Sequence, residues 1–399
     1  METVPIVGYC DKLSGRPGDR ISFMVSSEHK GDFTAQLFRS VNADPNPKGQ
    51  GIVEYACDDF FPKQSFSSRK QKFEPGSYGI TEQPLKMTVD DNVRFSVVIF
   101  PTLKTSHPQT LIEFGQFCLT LDPEGHVSFS LGSKILTTVD AISIRCWHRV
   151  EAQISTTGLM SIDLINLSNS TNSKPTVIQI DLEPDLNEQA YVIIAAKRIG
   201  GSAKNCFNGK IEQPEIFADG KIIAFWDFSE NIPSLAVTGV ECPDLTLVNA
   251  PTRAVTGAMW DASEMNWQHK PQHYAAIAFH EDDIYDFKWD ADFSFVIPPK
   301  MPSGIYIMRI SCEDDYDAIP FFVCPEKGQA SARLCVLVST FTYVIYGNHA
   351  RPDYNDTWLQ RIDDWNAYPH NPAQFQSYGL STYNNHSDGS GICHASHKR

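Results

Sequence analysis

The stretch RFSVVIF, residues 94–100, decides the fold class. Its length and its apolar, β-branched composition are those of a buried β-strand rather than a helix. Turn sequences such as Asp122-Pro123-Glu124-Gly125 and Asp219-Gly220 separate it from similar runs further along the chain. Those runs lie at residues 117–121, 127–131, 150–154, 160–165, 191–196 and 222–226. Closely spaced strands without helical periodicity predict an antiparallel sandwich.

The order of features within residues 71–245 resembles a concanavalin-like or laminin-G-like jelly roll. FSVVIFPT at residues 95–102 lies where such domains have their W-x-x-P strand, and CWHRV at residues 146–150 is similar to their W-x-x-V strand. GKI at residues 209–211, with Ile216-Phe217, is similar to a third. The fold alone does not imply function, so this resemblance is no evidence for sugar or calcium binding. A packing or assembly module is the preferred interpretation.

Strand-like runs also lie on both sides of this region. Residues 21–25 and 33–38 precede it, and residues 293–296, 305–310 and 320–323 follow it. We expect residues 1–70 to pair with residues 246–328 in an immunoglobulin-like sandwich, with the jelly roll inserted between them. The fold class is therefore predicted to be mainly β.

The last part of the chain differs in its pattern of apolar and polar residues. LCVLV, residues 334–338, is a continuous apolar run of the kind found in a central parallel strand buried on both faces. Helix-compatible sequence follows around residues 357–365. We therefore expect residues 329–399 to be the start of an α/β catalytic domain, and an incomplete one because several strand–helix units would be needed.

Charge and composition exclude some partners. The net charge of −15 is spread along the chain, which argues against a nucleic-acid partner because such binding needs a basic face. No run approaches the ~18 apolar residues of a membrane-spanning helix, so no membrane partner is expected. The ten cysteines form no C-x-x-C pair, and the N-terminus lacks the pattern of an export signal. These features predict reduced thiols in a cytoplasmic protein.

Aromatic and polar residues follow the expected strand at residues 334–338. FTYVIYGN, residues 341–348, carries Tyr343 and Tyr346, and His349 comes next. Sites in open α/β sheets form at the carboxyl ends of strands, so this cluster is a candidate site. Packing beneath a loop also explains it, because the two tyrosines stand three positions apart on one helical face.

Two further segments have the composition of a site. YNNHSDGSG, residues 383–391, is polar and glycine-rich, and a flexible surface loop is its alternative interpretation. FHEDD, residues 279–283, places His280 beside three carboxylates, which could bind a hard cation. An inter-domain network of salt bridges and tryptophan packing is the alternative there. Five of the twelve histidines lie after residue 348, which favours a metal or polar site but could arise by chance.

Four elements in order resemble a known family. The first is Val7-Gly8-Tyr9 with Pro45-Asn46-Pro47, and the second is TRAVTG at residues 252–257 with Trp260-Asp261. The third is FHEDD at residues 279–283. The fourth is F-T-Y-x-x-Y-x-N at residues 341–348, followed by Y-x-x-H-x-D-G-S-G at residues 383–391. Together they are similar to the large subunit of the N,N-dimethylformamidases, and the resemblance spans essentially the whole chain.

The resemblance implies a ferric amide hydrolase that cleaves small amides such as N,N-dimethylformamide into amine and formate. Its Fe(III) ion is held by two tyrosine oxygens and a glutamate. By motif, the tyrosine ligands would be Tyr343 and Tyr383, with Tyr346 and His386 as less certain candidates. A small partner subunit and a homo-oligomer are also implied.

One departure limits this interpretation. In the family the glutamate ligand lies beyond the motif that ends at Gly391, and no residue of this sequence can be matched to it. The resemblance therefore implies that the chain is inactive as a hydrolase on its own. The alternative function is a non-enzymatic β-sandwich module for carbohydrate binding or assembly.

Overall fold

Strands dominate the computed structural model, which describes residues 3–172, 174–180, 183–350, 355–366 and 370–399. The described residues form two units. The outer unit comprises the chain up to Phe73, Tyr285–Asn385 and Gly391–Arg399, and the inserted unit comprises Glu74–Ile284 with His386–Ser390. The predicted mainly β fold, a sandwich interrupted by an inserted sandwich, is confirmed.

In the outer unit, strands from the start of the chain pair with strands that follow the insertion. Arg20–Ser27 lies between Ile6–Cys10 and Phe293–Val296 and is antiparallel to both. A second sheet runs in the order Ser14–Gly15, Asp315–Val323, Gly304–Cys312, Phe33–Ala43 and Ile52–Ala56, with Gln64–Phe66 also on Phe33–Ala43. Both sheets therefore need chain segments from either side of the inserted unit.

Aromatic side chains fill the space between these sheets. Phe23 stacks on Phe293 with ring centroids 5.0 Å apart and meets the edge of Phe321 at 5.9 Å. Along Phe33–Ala43, Phe33, Ala35 and Leu37 are buried while the residues between them are partly exposed. This alternation is expected for a strand with one solvent-exposed face, so the sequence pattern agrees with the packing.

The inserted unit is built on two facing sheets. One runs in the order Lys134–Ala141, His126–Leu131, Phe117–Leu121, Gln109–Phe114, Val192–Ile194, Tyr78–Thr81, Leu245–Val248 and Ala236–Val237. The other runs in the order Thr171–Asn172, Leu159–Asn166, His148–Ser155, Asn92–Pro101, Gly209–Ala218, Lys221–Trp226 and Gly239–Val240, with Thr176–Gln179 on Leu159–Asn166. Short pairs join Leu85–Met87 to Glu188–Ala190 and Lys197–Ile199 to Ser202–Lys204.

The decisive stretch RFSVVIF lies in the middle of the second of these sheets. Its strand, Asn92–Pro101, is antiparallel to His148–Ser155 on one side and to Gly209–Ala218 on the other. Phe95 contacts Phe117 and Phe129 of the facing sheet at 5.5 and 5.6 Å. The apolar run therefore forms the centre of the inserted unit's core.

This sheet continues past the boundary expected at residue 245. Thr252–Val255 pairs with Ala276–Phe279, which in turn pairs with Gly209–Ala218. Ile277 and Phe279 are fully buried in the same core. The inserted unit consequently extends to Ile284, and it carries both the TRAVTG and the FHEDD motifs.

Helices are short and belong mostly to the last part of the chain. The α-helices are Thr340–Tyr346 and Asp356–Asp364, and turns of 3-10 helix lie at Pro271–Tyr274 and Gln376–Tyr378. Asn355 caps the second α-helix, because its side chain accepts a hydrogen bond from the Trp358 amide. This helix confirms the one predicted near residues 357–365. No helix in the described part of the chain combines the length and apolarity needed to cross a bilayer.

The predicted central strand at residues 334–338 was wrong for this structure. Leu334, Val336 and Leu337 are 84–94% exposed, and the segment forms no strand. A parallel strand is stabilised by hydrogen bonds from neighbouring strands and by helices over both faces. No such neighbours surround this segment among the described residues, so the apolar run lies in solvent.

Candidate functional site

Two tyrosines from separate sequence motifs lie against each other in the outer unit. Tyr346 is the last residue of helix Thr340–Tyr346, and Tyr383 follows the 3-10 turn at Gln376–Tyr378. Their rings stack with centroids 4.4 Å apart and planes within 16° of parallel. Both side chains are about half exposed, at 45% and 56%, so the pair is accessible to a ligand.

The two phenols of this pair influence each other's ionisation. The Tyr383 side chain, by hydrogen bonding and by its charge, raises the pKa of Tyr346, and desolvation adds to the effect. A cation between the two oxygens would have the opposite effect, because positive charge favours the phenolate form. Phenolate is a hard oxygen donor that suits a hard cation.

Ser381 positions the third member of this cluster, His349. Ser381 Oγ lies 3.2 Å from His349 Nδ1 and accepts a hydrogen bond from the Tyr383 amide at 3.0 Å. The His349 ring meets the Tyr346 and Tyr383 rings edge-on, each at 5.9 Å. Because Ser381 is fully buried, it holds the imidazole and the Tyr383 main chain in fixed relation.

Tyr343, the first-choice partner of Tyr383 by motif, lies in a different environment. Its ring packs edge-on against Phe322 at 5.4 Å and lines a cavity of the outer unit. The structure stacks Tyr346, the second choice, on Tyr383. Residues three apart differ by about 60° around a helix axis, so spacing alone did not distinguish the two tyrosines.

The cavity beside Tyr343 encloses about 290 Å³. Much of its wall is apolar, and Asp317 and His370 are among its polar residues. Asp317 accepts hydrogen bonds from the amides of Gly8 and Ala318 at 3.0 and 2.8 Å, and burial raises its pKa. Apolar walls with a few convergent polar groups are typical of pockets for small organic molecules.

His386, the remaining sequence candidate for a metal ligand, lies in the inserted unit. Its ring stacks on His280 with centroids 3.8 Å apart and planes within 4° of parallel. His386 Nδ1 donates to Asp282 Oδ1 at 2.7 Å, and His280 Nε2 lies 2.9 Å from Ser390 Oγ. Both imidazoles are buried. The FHEDD and HSDGSG motifs therefore form one cluster in the inserted unit, whereas the tyrosine pair belongs to the outer unit.

Opposing effects set the protonation of this cluster. Burial lowers the pKa of His280, but hydrogen bonds and charges from Asp283 and Asp388 outweigh burial and raise it to about 10. Burial raises the pKa of Asp388, whereas the nearby His280 ring and hydrogen bonds from Ser390 bring it well below its usual range. The salt-bridge network considered for FHEDD is thus present, within a single unit.

The TRAVTG block has a structural role. Arg253 donates hydrogen bonds of 2.9 Å to four main-chain carbonyls of one loop, those of Phe228, Glu230, Asn231 and Ser234. Gly257 packs closely on buried Glu212, and a Cβ at residue 257 would lie 2.8 Å from Glu212 Oε2. The block therefore fixes loops of the inserted unit.

Sequence comparison identifies relatives of this chain. Residues 252–399, which carry the tyrosine pair and both histidine motifs, match the family described as N,N-dimethylformamidase beta subunit-like, C-terminal. Over its whole length the chain is 30% identical to the N,N-dimethylformamidase beta subunit of Paracoccus aminophilus and 29% identical to that of an Alcaligenes species. The chain spans 60% of the length of each. It is thus a relative of the N,N-dimethylformamidase beta subunit, as the motifs predicted.

Solved structures resemble the chain only distantly. A heptameric SAP-like pentraxin from Limulus polyphemus covers 48% of this chain and 77% of its own at 13% identity, with a TM-score of 0.29. The LG1-3 region of the laminin α2 chain covers 36% of this chain and 31% of its own at 17% identity, with a TM-score of 0.28. Similarities this weak carry no functional argument.

Sequence reasoning missed Ser381 and did not single out Asp282 among its acidic neighbours, although both residues organise the clusters. Ser381 stands two positions before Tyr383, and a serine oxygen that accepts the amide two residues on is a recognised turn pattern that could have indicated its role. The partner of His386 had a weaker signal. Asp282 is one of three neighbouring acidic residues, and nothing in their order distinguishes the one that contacts a distant histidine.

Proposed function

We propose that the chain is part of an amide hydrolase that converts small N,N-dialkyl amides, such as N,N-dimethylformamide, into amine and formate. The Tyr346–Tyr383 pair carries the proposal, because the two phenol rings from separate motifs stack 4.4 Å apart and the Tyr383 side chain affects the pKa of Tyr346. Two relatives of the chain, identical to it at 30% and 29% of positions, are N,N-dimethylformamidase beta subunits.

A ferric ion is the cofactor implied for such an enzyme, and the donor chemistry of the pair fits it. Tyr346 and Tyr383 would hold the ion as two hard oxygen ligands, and Tyr346 takes the place that the motif alone gave to Tyr343. When bound, such an ion polarises an amide carbonyl and lowers the pKa of a water molecule.

The chain's own residues supply further requirements of amide hydrolysis. The departing amine needs a proton, and a positioned histidine is the usual donor. With Nδ1 of His349 held by Ser381, Nε2 is the ring nitrogen available to exchange that proton next to the tyrosine pair. The apolar cavity lined by Tyr343 suits the alkyl groups of a neutral substrate.

Ferric titration of the purified chain tests the ligand assignment. We expect a visible tyrosinate-to-iron charge-transfer band, and at least about tenfold weaker iron binding (about 1.4 kcal/mol) in Tyr346→Phe and in Tyr383→Phe. Tyr343→Phe is the matched control and should keep both the band and the affinity. Loss of the band in Tyr343→Phe, with retention in Tyr346→Phe, would instead make Tyr343 the ligand.

Hydrolysis is tested separately on the protein purified from its native cells, by following amine release from N,N-dimethylformamide. Because the relatives are named beta subunits, we also propose a smaller partner subunit and a homo-oligomeric assembly, both detectable by mass analysis of the native complex. A complex that binds iron through the tyrosines but releases no amine would contradict the substrate class and leave the ligand assignment intact.

A further inference from the structure

A buried carboxylate lies between the stacked imidazoles of the inserted unit. Asp283 Oδ2 is 3.3 Å from His280 Nδ1, and Asp283 Oδ1 is 3.6 Å from His386 Nε2. The three residues are only 4–7% exposed, and each offers a ligand atom within 4.8 Å of the others. Two imidazoles and a carboxylate are a donor set typical of zinc and related divalent metals.

The separations around Asp283 fit shared ligation better than direct hydrogen bonding. Charge-assisted bonds between nitrogen and carboxylate are usually about 2.7–2.9 Å long. Two ligands on one tetrahedral ion, with bonds of about 2.0–2.1 Å, stand about 3.3 Å apart. The two distances from Asp283 to the imidazoles, 3.3 and 3.6 Å, are close to that ligand separation.

The outer nitrogens of both imidazoles are held as they are in metal sites. His386 Nδ1 donates to Asp282, and His280 Nε2 contacts Ser390 Oγ, which itself donates to Asp388. Such partners fix the ring tautomer, and a metal ion binds at the other nitrogen in place of its proton. In both histidines the remaining nitrogen is the one nearest Asp283.

The cluster also holds more negative than positive charge. Asp282, Asp283 and Asp388 supply three carboxylates, and the Asp388 side chain is only 1% exposed. Among the described residues, Asp388 Oδ2 accepts no well-formed hydrogen bond, and His280 Nε2 lies 3.5 Å away. Buried carboxylates of this kind are stabilised when a cation neutralises them.

We propose that His280 Nδ1, His386 Nε2 and the Asp283 carboxylate bind a divalent first-row metal ion of the zinc class. Because the two rings are parallel, one imidazole turns about χ2 as the ion binds so that both lone pairs reach it, and the partner of its outer nitrogen shifts with the ring. Three protein ligands leave a fourth position for water. Within the inserted unit, the ion joins the His386–Ser390 segment to residues 280–283, and this site does not depend on the tyrosine pair or on amide hydrolysis.

Zinc titration of the chelator-treated full chain tests the site, with affinity measured against a competing chelator. We expect one high-affinity equivalent, weakened at least about 100-fold in His280→Gln and in His386→Gln. Asp282→Asn removes only an outer partner and should weaken binding by about 10–100-fold. The matched control is His269→Gln, since His269 is an exposed histidine 3.1 Å from Glu264, and this variant should bind zinc normally.

Cobalt(II) gives a second readout that needs no substitution. Co²⁺ in the proposed site gives visible d–d bands much stronger than those of the aqueous ion, without a thiolate charge-transfer band, and an equivalent of Zn²⁺ abolishes them. Failure of the unsubstituted chain to take up either metal would show that the cluster is a hydrogen-bonded network only. Zinc affinity unchanged in His280→Gln and His386→Gln would place the bound metal elsewhere and overturn the proposal.

Discussion

At the scale of single residues, Arg253 shows how a conspicuous motif can serve structure. A guanidinium carries five N–H donors in a planar fork, and four carbonyls of the loop at residues 228–234 use that fork. The Asn231 carbonyl also accepts a hydrogen bond from the Ser234 amide, and Arg253 is the side chain that brings the four carbonyls to one point. The loop's conformation therefore depends on one side chain.

Replacing Arg253 by lysine should destabilise the inserted unit although the charge is kept. A lysine ammonium has three donors on one atom and cannot reach four carbonyls from two directions. We expect Arg253→Lys to lower the free energy of unfolding by about 3–6 kcal/mol, because each of two lost bonds to a charged group is worth about 1.5–3 kcal/mol. Denaturant unfolding followed by tryptophan fluorescence measures this change.

The control for this variant is Arg198→Lys in the same unit. Arg198 is exposed and makes a single longer bond of 3.2 Å to the Gly201 carbonyl, so its replacement should cost less than about 0.5 kcal/mol. Equal effects of the two substitutions would mean that the four-carbonyl contact adds nothing specific to stability.

The sequence predicted which segments form the site better than it predicted which side chains contact each other there. The motif pattern singled out Tyr343, Tyr346 and Tyr383, and two of them stack. It put Tyr343 before Tyr346, whereas the structure packs Tyr343 on Phe322 and stacks Tyr346 on Tyr383. Both tyrosines lie near one face of the same helical turn, so the spacing does not separate them. His386 is three residues from Tyr383 yet packs on His280, a contact across 106 residues that local pattern does not encode.

At the scale of elements, the sequence predicted the strands of the two sandwiches, but it did not predict the exposed, non-strand conformation of the apolar run at residues 334–338. RFSVVIF forms a strand because flanking strands satisfy its main chain and aromatic rings cover it. The run LCVLV has a comparable intrinsic preference, but the described structure places no strand or helix around it. Propensity is a weak prior, and tertiary context decides which apolar run becomes a strand.

Two leucines of the outer unit test this difference. Leu337 is 94% exposed and Leu37 is fully buried in the sandwich. Leu337→Ala should change the free energy of unfolding by less than about 0.5 kcal/mol, whereas Leu37→Ala should lower it by about 2–5 kcal/mol. Thermal unfolding of both variants gives the comparison. A loss of more than about 2 kcal/mol in Leu337→Ala would show that residues 334–338 are buried in solution.

At the scale of the whole molecule, the two cores are assembled from the chain in different ways. The core of the inserted unit is drawn entirely from residues between Leu85 and Phe279, one continuous stretch. The core of the outer unit combines residues from Ile6 to Phe66 with residues from Phe293 to Val323. The second core therefore requires closure over the whole insertion, and a long loop raises the entropy cost of closure only slowly with length.

This difference in assembly predicts how fragments behave. A fragment of residues 74–284 contains every strand and core residue of the inserted sandwich, so it should fold alone, with a cooperative thermal transition and a buried Trp226. A fragment of residues 1–73 should stay unfolded, because its strands lack Phe293–Val296 and Gly304–Cys312 as partners. Circular dichroism and tryptophan fluorescence distinguish the two outcomes.

The folded fragment also separates the inserted sandwich from its proposed metal site. Residues 74–284 retain His280 and Asp283 but lack His386, so the fragment keeps two of the three proposed ligands. It should therefore bind zinc at least about 100-fold more weakly than the full chain, because the third ligand comes from a segment about 100 residues further along the chain. It should still fold, because all of its core residues lie within the fragment. Full zinc affinity in the fragment would show that the His386–Ser390 segment is not part of the site.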